Sequence, residues 1–172
     1  MTTGVIRTKG TRLYFATPLD ASSSDSDGVT IKYVACATGI AGLGGPADQI
    51  DTTCLGSTER EFVQGMANPG QITVPFNAIP ASGSQQALWD LFADGRNVSF
   101  MIVCSDAVDA GNVPVSVDSD DRLISAGSTT AEFLAYVSDM AIDIQTNEIV
   151  RGTLTLQRSG AVAWDWPTAT LT

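Results

Sequence analysis

The sequence predicts a mainly β protein, a β-sandwich or half-barrel with one helix packed against it. Three observations carry this. Residues 71–78, QITVPFNA, alternate apolar and polar side chains, the period of a half-buried strand. Residues 131–145 and 148–159 repeat that alternation in two longer runs on either side of Thr146-Asn147, the pattern of a hairpin. A single stretch, SGSQQALWDLFADG at 82–95, spaces its large apolar residues as a helix does and carries start and stop signals at its ends. A chain of 172 residues is expected to form one domain, here with extended loops at about 18–28, 39–58 and 105–129.

The elements follow in order. GTRLYFAT at 10–17 reads as a strand with Leu13 and Phe15 on one side and Arg12, Tyr14 and Ala16 on the other. PLDASSSDSDG at 18–28 is a loop of small polar residues, either a contact with a neighbouring copy or a mobile surface loop. Val29 to Ala37 predicts a second strand, and Gly39, Gly42, Gly44 and Gly45 after it predict a bend, a bulge or close backbone approach. In ADQIDTTCLGST at 47–58 only Ile50 and Leu55 are large and apolar. Such a segment cannot be buried on both sides, so it reads as an extended arm or one leg of a long hairpin, suited to a wet interface. Asn68-Pro69-Gly70 predicts a type II turn. In the strand that follows, Ile72, Val74, Phe76 and Ala78 share a face, and Pro75 places the strand at an edge or at a bulge.

The helix spans about 82–94, with Ser82 as its cap, Gln85 at capping-box spacing and Gly95 as its stop. Leu88, Leu91 and Phe92 form its stripe and Trp89 lies off it. Asn97 to Cys104 is almost entirely apolar and predicts a central strand covered on both faces. Ser105 to Thr129 reads as irregular. Its acidic string DSDDRLISAG lacks the glycine and the glutamate of a calcium loop. In the final hairpin, Leu134, Tyr136, Met140, Ile142 and Ile144 are expected to share a face. A three-residue turn at 146–148 sets Asp143 opposite Arg151, Ala141 opposite Thr153 and Met140 opposite Leu154, with Asn147 left-handed. Trp164 and Trp166 are large enough that they are expected to be covered, by the same subunit or by a partner.

Composition excludes several function classes. Nineteen acidic side chains face nine basic ones, a net charge of −10, which opposes gripping duplex DNA. There is no histidine, so the commonest general base and metal ligand is missing. The glycines of GIAGLGGPAD come without a phosphate-loop lysine, and no GxSxG elbow occurs. No catalytic residue, metal site or cofactor is expected. Cys36, Cys54 and Cys104 are odd in number and widely spaced, so they predict reduced, mostly buried thiols. Residues 1–10 lack an apolar signal-peptide core, and the longest apolar run, Phe100 to Cys104, is too short to span a bilayer. A soluble protein that is not exported by a cleaved signal is expected.

The order and spacing of ADQIDTTCLGST (47–58), EREFVQGMANPG (59–70), the strand QITVPFNA and the helix near SGSQQALWDLFADG resemble the major tail tube protein of long, non-contractile, lambda-like phage tails. GTRLYFAT (10–17) and EIVRGTLTLQRSG (148–160) sit where such proteins have their first and last core strands. The resemblance implies a virion tail protein, made in the host cytoplasm, that forms hexameric rings stacked into a hollow tube. It also implies the tape-measure protein, tail terminator and tail-tip proteins as partners, and DNA passing through the lumen without specific binding. Candidate lumen-facing residues are Asp139, Asp143, Arg151, Thr153, Thr155 and Gln157. Candidate contacts between subunits and rings are Asp48, Gln49, Asp51, Thr52, Thr53, Glu59, Arg60 and Glu61. The alternatives are a tail-tip or adhesin-type β binding module, for which Trp164 and Trp166 would be the aromatic cluster, and a ring-forming tail terminator that does not stack.

Overall fold

The computed structural model describes residues 9–17, 29–79, 82–105, 115–118, 120–125 and 127–166. The 18–28 loop, Asp106 and Asp109 lie outside the described residues. In chain order the elements are β1 (Arg12–Thr17), β2 (Thr30–Tyr33), β3 (Ala47–Asp51), β4 (Phe62–Ala67), β5 (Gln71–Asn77), α1 (Gly83–Asp94), β6 (Val98–Val103), β7 (Val115–Val117), β8 (Leu123–Ser125), β9 (Thr130–Asp143) and β10 (Arg151–Asp165). Six strands form one antiparallel sheet in the order β2-β1-β6-β9-β10-β5, and β3–β4 and β7–β8 are separate hairpins.

The sheet curls. Beyond β2 the chain bridges Ala37 to Phe76 and Ala41 to Thr73 on β5, at the opposite edge. Ala37 is only four steps along the chain from Tyr33, a reach of about 14 Å at most, so the two edges lie close together and the mainly β architecture is that of a half-barrel. Pro75 sits on the edge strand, as its missing N–H requires. Its carbonyl accepts from the Thr38 N–H at 2.8 Å.

One face of the sheet carries the main core. Phe15, Phe100 and Phe133 stack in a row across β1, β6 and β9, with ring centroids 6.0 and 5.9 Å apart. Ile72, Val74, Leu154 and Leu156 extend the layer, and α1 covers it with Ala87, Leu88 and Leu91. The helix begins and ends where the sequence predicts, with Ser82 at its N-cap and Gly95 at φ 64° donating to the Leu91 carbonyl. The capping box does not form. Gln85 instead turns inward, accepting from the Ile79 N–H at 3.1 Å and donating to the Asn77 carbonyl at 3.0 Å, because those backbone groups at the end of β5 need partners. Phe92 leaves the stripe and packs edge-on against Trp89 at 5.9 Å, both rings exposed.

All six residues of β6 are buried. On its second face Met101 and Val103 meet Ala16 of β1 and Leu123 of β8. The 105–129 segment is therefore not wholly irregular. It holds the β7–β8 hairpin, closed by Asp118, whose carboxylate accepts from the N–H groups of Asp120 and Arg122, both at 2.9 Å. Beneath the hairpin the Ser99 hydroxyl and the Arg122 guanidinium both donate to buried Glu132. That ion pair also holds Arg122 more firmly protonated than usual.

The register of β9–β10 is the one predicted: Asp143 faces Arg151, Ala141 faces Thr153, Met140 faces Leu154, and Asn147 is left-handed at φ 61°. The predicted face of β9 is wrong. Thr155 pairs with Asp139 but Leu156 pairs with Val137, so Ser138 is an extra residue, its hydroxyl bonded to the Thr155 carbonyl at 3.1 Å. A bulge moves alternate positions to the other side. Phe133, Ala135 and Val137 are buried up to the bulge and Met140 after it, whereas Tyr136, Ile142 and Ile144 are exposed.

Candidate assembly surfaces

Two surfaces stand apart from the core. The first is an arm. Strand β3 lies inside the 47–58 segment read as an extended arm or hairpin leg, and with β4 it forms a hairpin in which Ile50 faces Val63 and Asp51 faces Phe62. Its root is built from backbone. The Asn68 N–H donates to the Pro46 carbonyl at 2.9 Å. Gly42 takes φ 94°, and a Cβ there would stand 2.1 Å from the Gln71 carbonyl oxygen. Gly70 does not take the left-handed angle of a type II turn. Its missing side chain instead lets the Gly44 carbonyl approach to 2.7 Å of where a Cβ would be. Under this root lies Arg158, 8% exposed, with Nη1 on the Leu43 carbonyl at 2.5 Å.

The arm's tip is held by polar contacts. The Ser57 N–H closes a turn on the Cys54 carbonyl at 2.9 Å, and the Thr52 N–H reaches the Glu61 carbonyl at 2.9 Å. The Thr53 hydroxyl and N–H both donate to Asp51 and hold its carboxyl below the usual carboxylate range. Asp48, Gln49, Asp51, Thr52, Thr53, Glu59, Arg60 and Glu61 all lie exposed on this arm. Sequence reasoning missed its apolar residues. Ile50, Phe62 and Val63 are about half exposed, Met66 more so, and Leu55 is fully open to solvent. Ile50 and Val63 share one face of the hairpin and Phe62 lies on the other, so both faces carry uncovered apolar groups. A lone two-stranded hairpin is marginal in water, and apolar groups left exposed in this number mark a contact surface.

The second surface is the bare face of β5, β10 and β9. Arg151, Thr153, Thr155 and Gln157 alternate with the buried residues of β10, and the register sets them beside Asp143, Ala141 and Asp139. The six residues proposed from the sequence thus share one face. On their other side lie Asn77, Pro75, Thr73 and Gln71 of β5, which the sequence could not place because strand order is not local. Arg151 and Glu148 approach only to 3.9 Å, both exposed, a pair worth little.

Residues 4–168 match the family model described as phage tail tube, lambda-like. The chain belongs to the lambda-like phage tail tube family. A curated relative, "Structural protein 3" of Pseudomonas phage PAJU2, is 27% identical over 157 residues, covering 91% of each chain. Among solved structures, the SPP1 tail tube subunit superposes with a TM-score of 0.62 at 14% identity, over 97% of this chain and 83% of that one. The tail of an empty gene transfer agent particle, refined with C6 symmetry, gives 0.62 at 16% identity, over 94% and 99%. As a tail tube protein the chain is a structural component of the phage virion tail.

One expectation about this tube subunit needs correction. Cys36 and Cys54 are exposed rather than buried, and no disulfide joins them: one lies at a left-handed bend at φ 52°, the other at the arm's tip. Trp164 and Trp166 are not covered within the subunit, which leaves cover by a partner as the remaining half of that expectation. They stack on each other at 5.2 Å and remain 45% and 61% exposed. Among the described residues no cluster of acidic and thiol groups is arranged to hold a metal, and no helix is long and apolar enough to cross a membrane.

Proposed function

We propose that this subunit, acting as scaffold and not as enzyme, closes with its own copies into six-membered rings that stack into a hollow tube, and that phage DNA crosses that tube during ejection. The observation that carries this reading is the arm, whose exposed apolar side chains have no cover in a single copy. The six-fold symmetry of the gene transfer agent tail, a related fold, supports the ring size. Tape-measure, terminator and tip proteins are the partners that family membership suggests.

In this reading the bare face of β5, β10 and β9 lines the lumen. Its hydroxyl, amide and carboxylate groups hold water, and Asp139 and Asp143 repel phosphate, so DNA slides without being bound. Lysines there would supply the counterions that sliding must avoid. Replacing Asp139→Lys and Asp143→Lys together should leave tubes intact but slow DNA ejection from reconstituted particles. Unchanged ejection kinetics would refute the lumen assignment.

Negative-stain microscopy of the purified chain tests the assembly. Stacked tubes are expected, and single rings would instead indicate a terminator. Because Pro46 and Asn68 are hydrogen-bonded neighbours, residues 47–67 are replaceable by a short Gly-Ser turn without touching the core. That variant should remain a folded, soluble monomer. Tubes formed without the arm would remove it from the assembly contacts.

A further inference from the structure

The arm needs a receiving site, and the subunit carries a recess that matches it. Between β1, the segment after β2 and the end of β10 lies a cavity of about 640 Å³, within the size range of pockets that bind ligands. Leu13, Val34, Ile40, Leu43 and Ile102 contribute its apolar lining. Its rim holds Tyr33 and Trp164, each nearly half exposed. Among the described residues the only charged side chain lining it is Arg12, whose guanidinium lies over the Tyr33 ring at 5.4 Å. An apolar hollow with a cation at its mouth suits an apolar anchor flanked by carboxylates.

The arm has that chemistry. Between Ala47 and Ala67 it carries Asp48, Asp51, Glu59 and Glu61 against Arg60 alone. Leu55 stands at the first central position of the turn closed by Ser57 and Cys54, with its whole side chain in solvent. It does not fill the recess of its own subunit, so the occupant comes from another copy. We propose that Leu55 of one subunit seats in the recess of an adjacent copy, with the arm's acidic flank against Arg12. This rests on the tube reading and names the surface on which the arm docks.

Two cysteines report on the contact without any substitution. Cys54 is exposed beside Leu55, and Cys36 is exposed among the recess-lining residues. Tubes assembled from the full chain and oxidised with copper phenanthroline should give disulfide-linked ladders on non-reducing gels. Mass spectrometry of the peptides should show Cys54 joined to Cys36. Either Cys54→Ser or Cys36→Ser should abolish the ladder, and Leu55→Cys in the Cys54→Ser background should restore it. Leu55→Asp should raise the concentration at which tubes form about tenfold or more, as expected for losing one buried leucine. Tubes that form while neither Cys54 nor Leu55→Cys links to Cys36, or that form at the wild-type concentration with Leu55→Asp, would overturn the docking and leave the tube reading standing. A wild-type chain that forms no polymer at all would overturn the tube reading, and the docking with it.

Discussion

Gly152 offers the sharpest test of how the half-barrel is packed. It lies in β10 between Ile142 and Phe76, and the Phe76 ring, 2% exposed, folds across it. A Cβ at this position would stand 2.3 Å from one ring carbon and 2.8 Å from two others. Gly152→Ala therefore forces the ring or the strand to move. Overpacking of this kind costs about 1–3 kcal/mol, while replacing a strand glycine by alanine returns about 0.5–1 kcal/mol of backbone entropy. The net loss should be about 1–2 kcal/mol, a fall in Tm of about 2–8 °C for a chain of this size. Urea unfolding of dilute, unpolymerised subunit measures it. In the Phe76→Leu background the penalty of Gly152→Ala should largely vanish, because the clash partner has been shortened. Unchanged or raised stability in the single variant, or strict additivity in the pair, would refute the reasoning.

Arg122→Ala leaves Glu132 buried with only the Ser99 hydroxyl. Since Arg122 itself is 41% exposed at its side chain, the loss should fall below the full range for a broken buried pair, at about 2–3 kcal/mol, measured by the same urea titration. The Asp51 carboxyl is held below its ordinary value first by the Thr53 hydroxyl and then by the Thr53 N–H. A depressed folded value means that the order it gives the arm's tip is complete above about pH 4 and is lost as pH falls through that lower value. Amide signals of Thr53 and Glu61 followed by NMR should move only in that acid window, and Asp51→Asn should remove the transition.

Legibility divided along physical lines. Alternation found β1 and β5, and two caps found α1, because these signals are local. The register of β9–β10 followed from the turn because the pairing runs unbroken from Arg151–Asp143 to Thr155–Asp139. It failed at Ser138, since a bulge leaves no composition signal in a strand that remains apolar on both sides. The β7–β8 hairpin was missed because strands of three residues are too short to show a period. Gln85 was misassigned because its partners lie on Asn77 and Ile79, a choice made by packing. For the assembly surfaces, the polar half of the arm was visible as composition. Its apolar half was not, because Phe62, Val63 and Met66 resemble core residues until the fold leaves them outside. The recess was invisible because its walls come from segments far apart in the chain.

The two flanks of the half-barrel are unlike. On the β5 side the ladder is already occupied by Ala37 and Ala41, and Pro75 withholds a donor. On the β2 side four residues have no further strand partner among the described residues. A two-fold dimer would bury the same flank of both partners and stop there, whereas a ring or tube needs each contact to join two different surfaces. In the tube reading proposed above, association is therefore head-to-tail, the arm of one copy against a different surface of the next. Repetition of that step either closes a circle or winds an open helix, according to the angle each junction imposes.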